Sequence, residues 1–248
     1  MSEAVLGKAA SVRQIFEAPG WYLKGTGFNI RIRQETVHHL VAGMACEDIL
    51  DVGCGNGAIS MPLLQSNNRL TLVDVSTAMI SRASANIPVG LADNVELVNE
   101  DLMAAPLKPH GYDLILCLGV LAHVDSPAAT ITRVASLLRP GGTLILEFTD
   151  AFHLIGLLNT LYHRLRSFLK PSGYSLNRLS HRDVFTMLRG SNLAVVSSYR
   201  YGMFLPLLHK LFSQDTLYNV VRAIFGTSET SRNGFLGNAY ICVVKNAR

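Results

Sequence analysis

Apolar residues recur along the chain in two alternating patterns. Short runs bounded by polar or glycine positions, Asp48–Val52, Leu70–Val75, Val95–Val98, Tyr112–Leu118 and Thr143–Phe148, read as strands. Between them, apolar spacings of three and four residues predict helices over Ala58–Gln65, Thr77–Asn86 and Pro127–Leu138, the last stopped by Arg139-Pro140-Gly141-Gly142. Strands joined through helices cross over right-handedly and pair in parallel, so the order implies a doubly wound α/β sheet with helices on both faces. Ligands of such sheets bind beyond the carboxyl ends of the strands.

The pattern changes after Asp150. Helical spacing covers Phe152–Leu169 and Leu205–Phe225, a short helix is expected at His181–Arg189, and strands at Leu193–Tyr199 and Ala239–Val244. With 248 residues, 49% of them hydrophobic, one domain is expected. It divides into an N-terminal helical lid (residues 1–45), a ligand-binding core (46–150), and helical insertions with the last two strands (151–248). Residues 1–150 hold 10 Lys/Arg against 15 Asp/Glu, whereas 151–248 hold 12 against 3. The basic C-terminal part suits an anionic small molecule, a membrane surface or nucleic acid.

The first residues contain no apolar run of signal-peptide length, which points to the cytoplasm. The run near Leu205 is interrupted by His209, Lys210 and Asp215 and is too short to span a bilayer. Cys46, Cys54, Cys117 and Cys242 show no paired CxxC spacing and no companion His cluster, so reduced thiols are expected, with neither metal nor disulfide framework.

Gly53-Cys54-Gly55-Asn56-Gly57-Ala58 follows a strand and opens a predicted helix, where missing Cβ atoms let the backbone turn tightly against a ligand. The string also satisfies the G-x-G-x-x-A dinucleotide pattern, which keeps a nicotinamide enzyme as a rival. Asp51, two residues before the first glycine, would repel a pyrophosphate and attract a ligand bearing ammonium and sulfonium charges. Asp74, at the end of the second strand, has two oxygens that can accept both ribose hydroxyls, or it caps the following helix. Asp101 ends the third strand, where it can accept a bond from an adenine amino group while Leu102 and Met103 pack on the ring, or it is a solvated loop acid.

The succession ILDVGCGNGAIS, LTLVDVS, VNEDLMAAPL, YDLILCLGVLAHV and RPGGTLILEF resembles the class I S-adenosylmethionine-dependent methyltransferases over Ile49 to Phe148. The resemblance implies a seven-stranded sheet with its last strand antiparallel, and S-adenosyl-L-methionine as cofactor. It places Asp51, Gly53 and Gly55 on the methionine part, Asp74 on the ribose, Asp101 on the adenine, and Cys117, Leu118 and Gly119 near the sulfonium, with Cys54, Asn56, Val75, Met79, Leu102 and Met103 also at the cofactor.

The methyl acceptor is less legible. A hydroxyl acceptor would use a general base, and His123, just past the fourth strand, is the first candidate, with a backbone hydrogen bond as its alternative role. His153 is the second candidate. Cys117-Leu118-Gly119 stands where enzymes that methylate DNA or glutamine have Asn/Asp-Pro-Pro-Tyr/Phe, which argues against those substrates, and Leu121-Ala122 replaces the Glu of metal-assisted quinone relatives. The N-terminal stretch Gly20–Phe28 reads as a lid that brings Tyr22 to the acceptor, and Arg31 and Arg33 beyond it can bind carboxylates. The helix from Phe152 to Leu169 is basic and amphipathic; it can cap an apolar pocket, lie on an anionic bilayer or pack on the sheet. These features favour O-methylation of a small apolar or amphipathic molecule with Phe152 against it. The alternative is an RNA methyltransferase or RNA-binding protein using the basic C-terminal part, against which stands the lack of a dense basic tract or RNA module.

Overall fold

The computed structural model describes residues 13, 17, 27–154, 156–157, 176–202 and 212–247. Its elements are α1 (Gly27–Leu40), β1 (Asp48–Val52), β2 (Arg69–Val73), α2 (Thr77–Ala85), β3 (Val95–Val98), β4 (Tyr112–Leu118), α3 (Pro127–Leu137), β5 (Leu138–Thr149), α4 (His181–Gly190), β6 (Leu193–Tyr201), α5 (Gln214–Phe225) and β7 (Ala239–Asn246). The strands form one sheet in the order β3-β2-β1-β4-β5-β7-β6. Every pairing is parallel except those of β7, which runs antiparallel to both β5 and β6. This is the Rossmann-like seven-stranded architecture, with the order reversing between β1 and β4.

The central strands are buried on both faces, which explains their continuous apolar runs. One apolar layer joins Leu50, Ile115, Leu146 and Phe148 to α3 and α4 through Ile131, Val134, Val184 and Leu188. The opposite layer joins Ile49, Leu116 and Ile145 to α1 and α5 through Ile32, Val37, Leu217 and Val221. Helix starts follow local chemistry: Ser76, Ser126 and Ser213 accept bonds from backbone N–H groups of the first turn, and Ser180 with Asp183 forms a reciprocal capping box. Gly226, at φ 70°, ends α5.

Three expectations change. The helix over Ala58–Gln65 is a turn with a 3-10 segment at Met61–Leu63. Pro62 has no N–H to continue an α-helical ladder, and Leu63 and Leu64 bond instead to Ser60 and Met61, three residues back. The fifth strand starts at Leu138, not Thr143, because the chain pairs with Tyr112 before the irregularity that precedes Leu114. The second strand stops at Val73, so Asp74 and Val75 lie in the turn beyond it. The expected helix over Phe152–Leu169 and the first part of that over Leu205–Phe225 fall largely outside the described residues, as does Tyr22. Among the described residues no helix is long and apolar enough to cross a membrane.

Candidate functional site

The exits of β1 and β4 meet where the strand order reverses, the place where open α/β sheets bind ligands. Gly53 leaves β1 at φ +66°, and a Cβ there would lie 2.7 Å from Val120 Cγ2, so only glycine lets the two exits approach this closely. Gly53 and Cys54 donate from their backbone nitrogens to Val73 O at 2.8 and 3.1 Å, which pins the turn to β2. Gly55, at φ +55°, has nothing within 4 Å of where a Cβ would stand, so its backbone faces open space.

Two carboxyls sit beneath this turn. Asp51 is 4% exposed and accepts from Ser60 Oγ at 2.6 Å. Burial pushes its pKa up to about 7, with the charge of Asp74 acting the same way and the Ser60 bond opposing. Asp74 accepts from Gly55 N through Oδ2 and from Ser76 N through Oδ1, both at 2.9 Å. Burial raises its pKa too, against the lowering effect of those two bonds. The cap of α2 is Ser76, not Asp74, which settles the alternative helix-capping role. Each Asp74 oxygen retains acceptor capacity beyond these two bonds.

The β3 exit is tied to the same centre, since Asn99 Nδ2 donates to Asp74 O at 2.9 Å. Two residues on, Asp101 accepts from Met103 N at 2.8 Å; Leu102 is buried and Met103 exposed. Asn56 O accepts from Asn86, Val75 O accepts from Arg13 Nε, and Met79 is buried under the start of α2. Cys117 and Leu118 close β4, and Gly119 turns away at φ +75°. Burial pushes the Cys54 thiol well up and that of Cys117 to about 12, so neither is a thiolate at neutral pH. All four cysteines are free.

A buried charged group backs Gly119, and the sequence reading missed its centre. Glu147 on β5 is 1% exposed and its Oε2 lies 2.6 Å from Arg33 Nη2 of α1. Tyr201 of β6 bonds through its hydroxyl to Glu147 Oε1 at 2.9 Å and to Asn29 of α1. A Cβ on Gly119 would stand 3.1 Å from Arg33 Nη2 and 3.7 Å from Glu147 Oε2. The signal was a single acid inside the apolar run Leu144-Ile145-Leu146-Glu147-Phe148. Arg31, the other carboxylate-binding candidate, is taken up by Glu35, which also receives Tyr218 and Arg222 of α5 and so holds α1 in place.

The expected acceptor residues lie along the exits of β4 and β5. His123 donates its backbone N–H to Val120 O at 2.8 Å. His153 Nε2 lies 2.9 Å from Phe235 O, and Phe152 is half exposed with the Arg178 guanidinium 5.0 Å from its ring centre. A cavity of about 280 Å³ opens elsewhere, among Asp48, Arg69, Val95 and Tyr112 at the amino ends of the strands, away from the glycine turn.

A methyltransferase-domain family model matches residues 49–142. The ubiquinone biosynthesis O-methyltransferase of Nitrosospira multiformis is 29% identical over 198 residues, covering 73% of this chain and 77% of that protein. The protein of the same name from Xanthomonas campestris pv. campestris is 33% identical over 139 residues, covering 50% of this chain and 57% of its own length. The chain thus spans between about half and three quarters of these relatives. Among solved structures, the magnesium protoporphyrin IX methyltransferase of Synechocystis PCC 6803 with bound S-adenosylhomocysteine superposes with a TM-score of 0.68 at 18% identity, covering 97% of this chain and 100% of that one.

Proposed function

Because this chain belongs to the class I S-adenosylmethionine-dependent methyltransferases, we propose that it methylates a hydroxyl of a small apolar or amphipathic molecule. The observation that supports this reading most is the cradle itself: a glycine turn with open backbone, set over Asp51 and Asp74. Ionising Asp51 among apolar atoms is costly, and a sulfonium or ammonium charge beside it offsets that cost. The donor set therefore fits S-adenosylmethionine, whose bound form supplies a methyl carbon already activated by positive sulfur.

In this reading Asp51, Gly53, Cys54, Gly55 and Asn56 hold the amino-acid part, while the Arg33 guanidinium is taken up by Glu147 behind Gly119. Asp74 takes the ribose hydroxyls with Val75 and Met79 beside it. Asp101, Leu102 and Met103 hold the adenine, and Cys117, Leu118 and Gly119 form the wall near sulfur. What remains for the chain is to place the nucleophile in line, exclude water and receive its proton. His123 and His153 are the imidazoles that the sequence offers for that proton. The relatives are named O-methyltransferases of ubiquinone biosynthesis, which supports oxygen as the acceptor atom, and exposed Phe152 and Phe235 provide apolar surface for the acceptor.

Calorimetry with S-adenosylhomocysteine, followed by transfer of labelled methyl from S-adenosylmethionine to an alkylated catechol, tests the proposal. Absence of binding at millimolar ligand would overturn it. A pH signature also follows. Cation binding needs ionised Asp51, so affinity for S-adenosylmethionine is expected to drop about tenfold per unit as pH falls below about 7. Folding stability runs the other way: with its folded pKa raised from 3.8, Asp51 stabilises most below 3.8, and this contribution is lost as pH rises towards about 7. Asp51→Asn should flatten the binding profile between pH 5.5 and ~8; an unchanged slope would assign the titration to another group.

A further inference from the structure

The residue that ends the β5 exit, Asp150, is 3% exposed and almost saturated with donors. Its Oδ1 accepts from Phe152 N and His153 N at 2.9 and 3.1 Å. Its Oδ2 meets His181 Nδ1 at 2.6 Å and accepts from His181 N at 3.3 Å. Burial alone would raise its pKa, and the bonds from His181 and the backbone outweigh that, holding the carboxyl below its ordinary value of 3.8. An ionised carboxylate only accepts, so Nδ1 of His181 carries a hydrogen, and in the neutral imidazole the lone pair is then on Nε2.

The imidazole is also held in orientation. Its ring lies near-parallel to Tyr240 at 6.0 Å and edge-on to Phe185 at 6.1 Å, and it is the first residue of α4, whose start is fixed by the Ser180–Asp183 capping box. The side chain is 41% exposed, so the ring is reachable from solvent.

The chain leading to His181 is stitched to the other exit. Asn177 Nδ2 donates to Leu121 O at 2.9 Å and to Val124 O at 2.7 Å, and Asn177 N donates to Ala122 O. These carbonyls belong to the turn that follows Gly119. Phe152, the expected acceptor contact, hangs on the same carboxylate as His181.

We infer that His181 is the general base for the acceptor hydroxyl and that Asp150 is its positioning residue; this rests on the methyl-transfer reading above. His181 Nε2 takes the hydroxyl proton as that oxygen's electron pair forms its bond to the methyl carbon and the carbon–sulfur pair stays with sulfur. The resulting imidazolium is stabilised by Asp150 and returns its proton to water. The other charged or titratable groups around the pair are Asp183 on α4, Tyr240 on β7 and Arg200 of β6, whose guanidinium lies 4.4 Å from the Tyr240 ring centre, with Arg178 beside Phe152.

His181→Asn and His123→Asn distinguish the bases, since asparagine at 181 can still donate to Asp150 while lacking Nε2. With an alkylated catechol and S-adenosylmethionine, His181→Asn is expected to lower kcat by about 10²–10⁴ and to abolish the acid limb of the pH–kcat profile. Affinity for S-adenosylhomocysteine should stay unchanged. Loss confined to His123→Asn, with His181→Asn turning over normally, overturns the assignment. A readout independent of turnover is the nitrogen NMR spectrum of the full chain. Protonated Nδ1 and bare Nε2 are expected at His181, the tautomer relaxing in Asp150→Asn, and the Nε2 signal moving when the catechol is added with S-adenosylhomocysteine. A Nε2–H tautomer or an unmoved signal refutes the inference even if the enzyme proves active. A wild-type chain that binds no S-adenosylhomocysteine refutes the methyl-transfer reading instead.

Discussion

Glu147→Ala is expected to lower the unfolding free energy by about 3–5 kcal/mol, because it strands a buried counter-charge. The Arg33 side chain is only 12% exposed, and Glu147 Oε2 at 2.6 Å is its counter-charge. Removing that carboxylate leaves a guanidinium buried against Gly119 and takes an acceptor from the wholly buried Tyr201 hydroxyl. Glu147→Gln keeps an acceptor for Tyr201 and should cost less. Arg33→Ala combined with Glu147→Ala should cost less than the sum, because the second change removes the charge that the first strands. Urea denaturation with an unchanged m-value reads each figure. A loss below ~1 kcal/mol for Glu147→Ala would mean that Arg33 swings out to water or that its other partners suffice to hold its charge.

Asp74→Ala is the second large effect, and it acts on the cofactor. The carboxylate has two duties: it accepts from Gly55 N and Ser76 N, which shapes the turn, and in the proposed site it accepts the ribose hydroxyls. Loss of charge-assisted bonds of this kind weakens binding by about 1–3 kcal/mol, roughly five- to 150-fold in the dissociation constant of S-adenosylhomocysteine. Asp74→Asn separates the duties. Its amide oxygen can still accept one backbone bond, but the amide nitrogen can only donate, so the turn is partly kept and one ribose contact is lost. Calorimetric affinity equal to wild type in Asp74→Ala would remove Asp74 from the ribose.

The sheet and its cradle were legible because their causes are local. Buried parallel strands need continuous apolar runs, a strand-to-helix turn against a ligand needs glycine, and an acid at the end of β2 falls at a fixed remove from that turn. The short 3-10 segment at Met61–Leu63 was misread because apolar spacing outweighed the missing N–H of Pro62. The groups that escaped are those assembled across the chain. Arg33, Glu147 and Tyr201 come from α1, β5 and β6, and nothing in the spacing of any one element foretells their meeting. Asp150 and His181 are likewise brought together across 31 residues by the packing of α4 on the β5 exit. The Nε2 of His153 is also directed to a distant group, Phe235 O, contributed from beyond α5, a contact that its position in the sequence does not foretell.

The strand order also bears on how the molecule is made. The last strand in sequence, β7, lies in the interior of the sheet, bonded to β5 on one side and β6 on the other. While the chain emerges from the ribosome, β5 therefore has an unpaired edge and β6 has no neighbour until residues 239–246 appear. Such an edge invites pairing with another nascent chain, and closure through contacts distant in sequence is slow. The sheet closes only once residues 239–246 have emerged, so a ribosome stalled before Ala239 would present an aggregation-prone intermediate with the edge of β5 open.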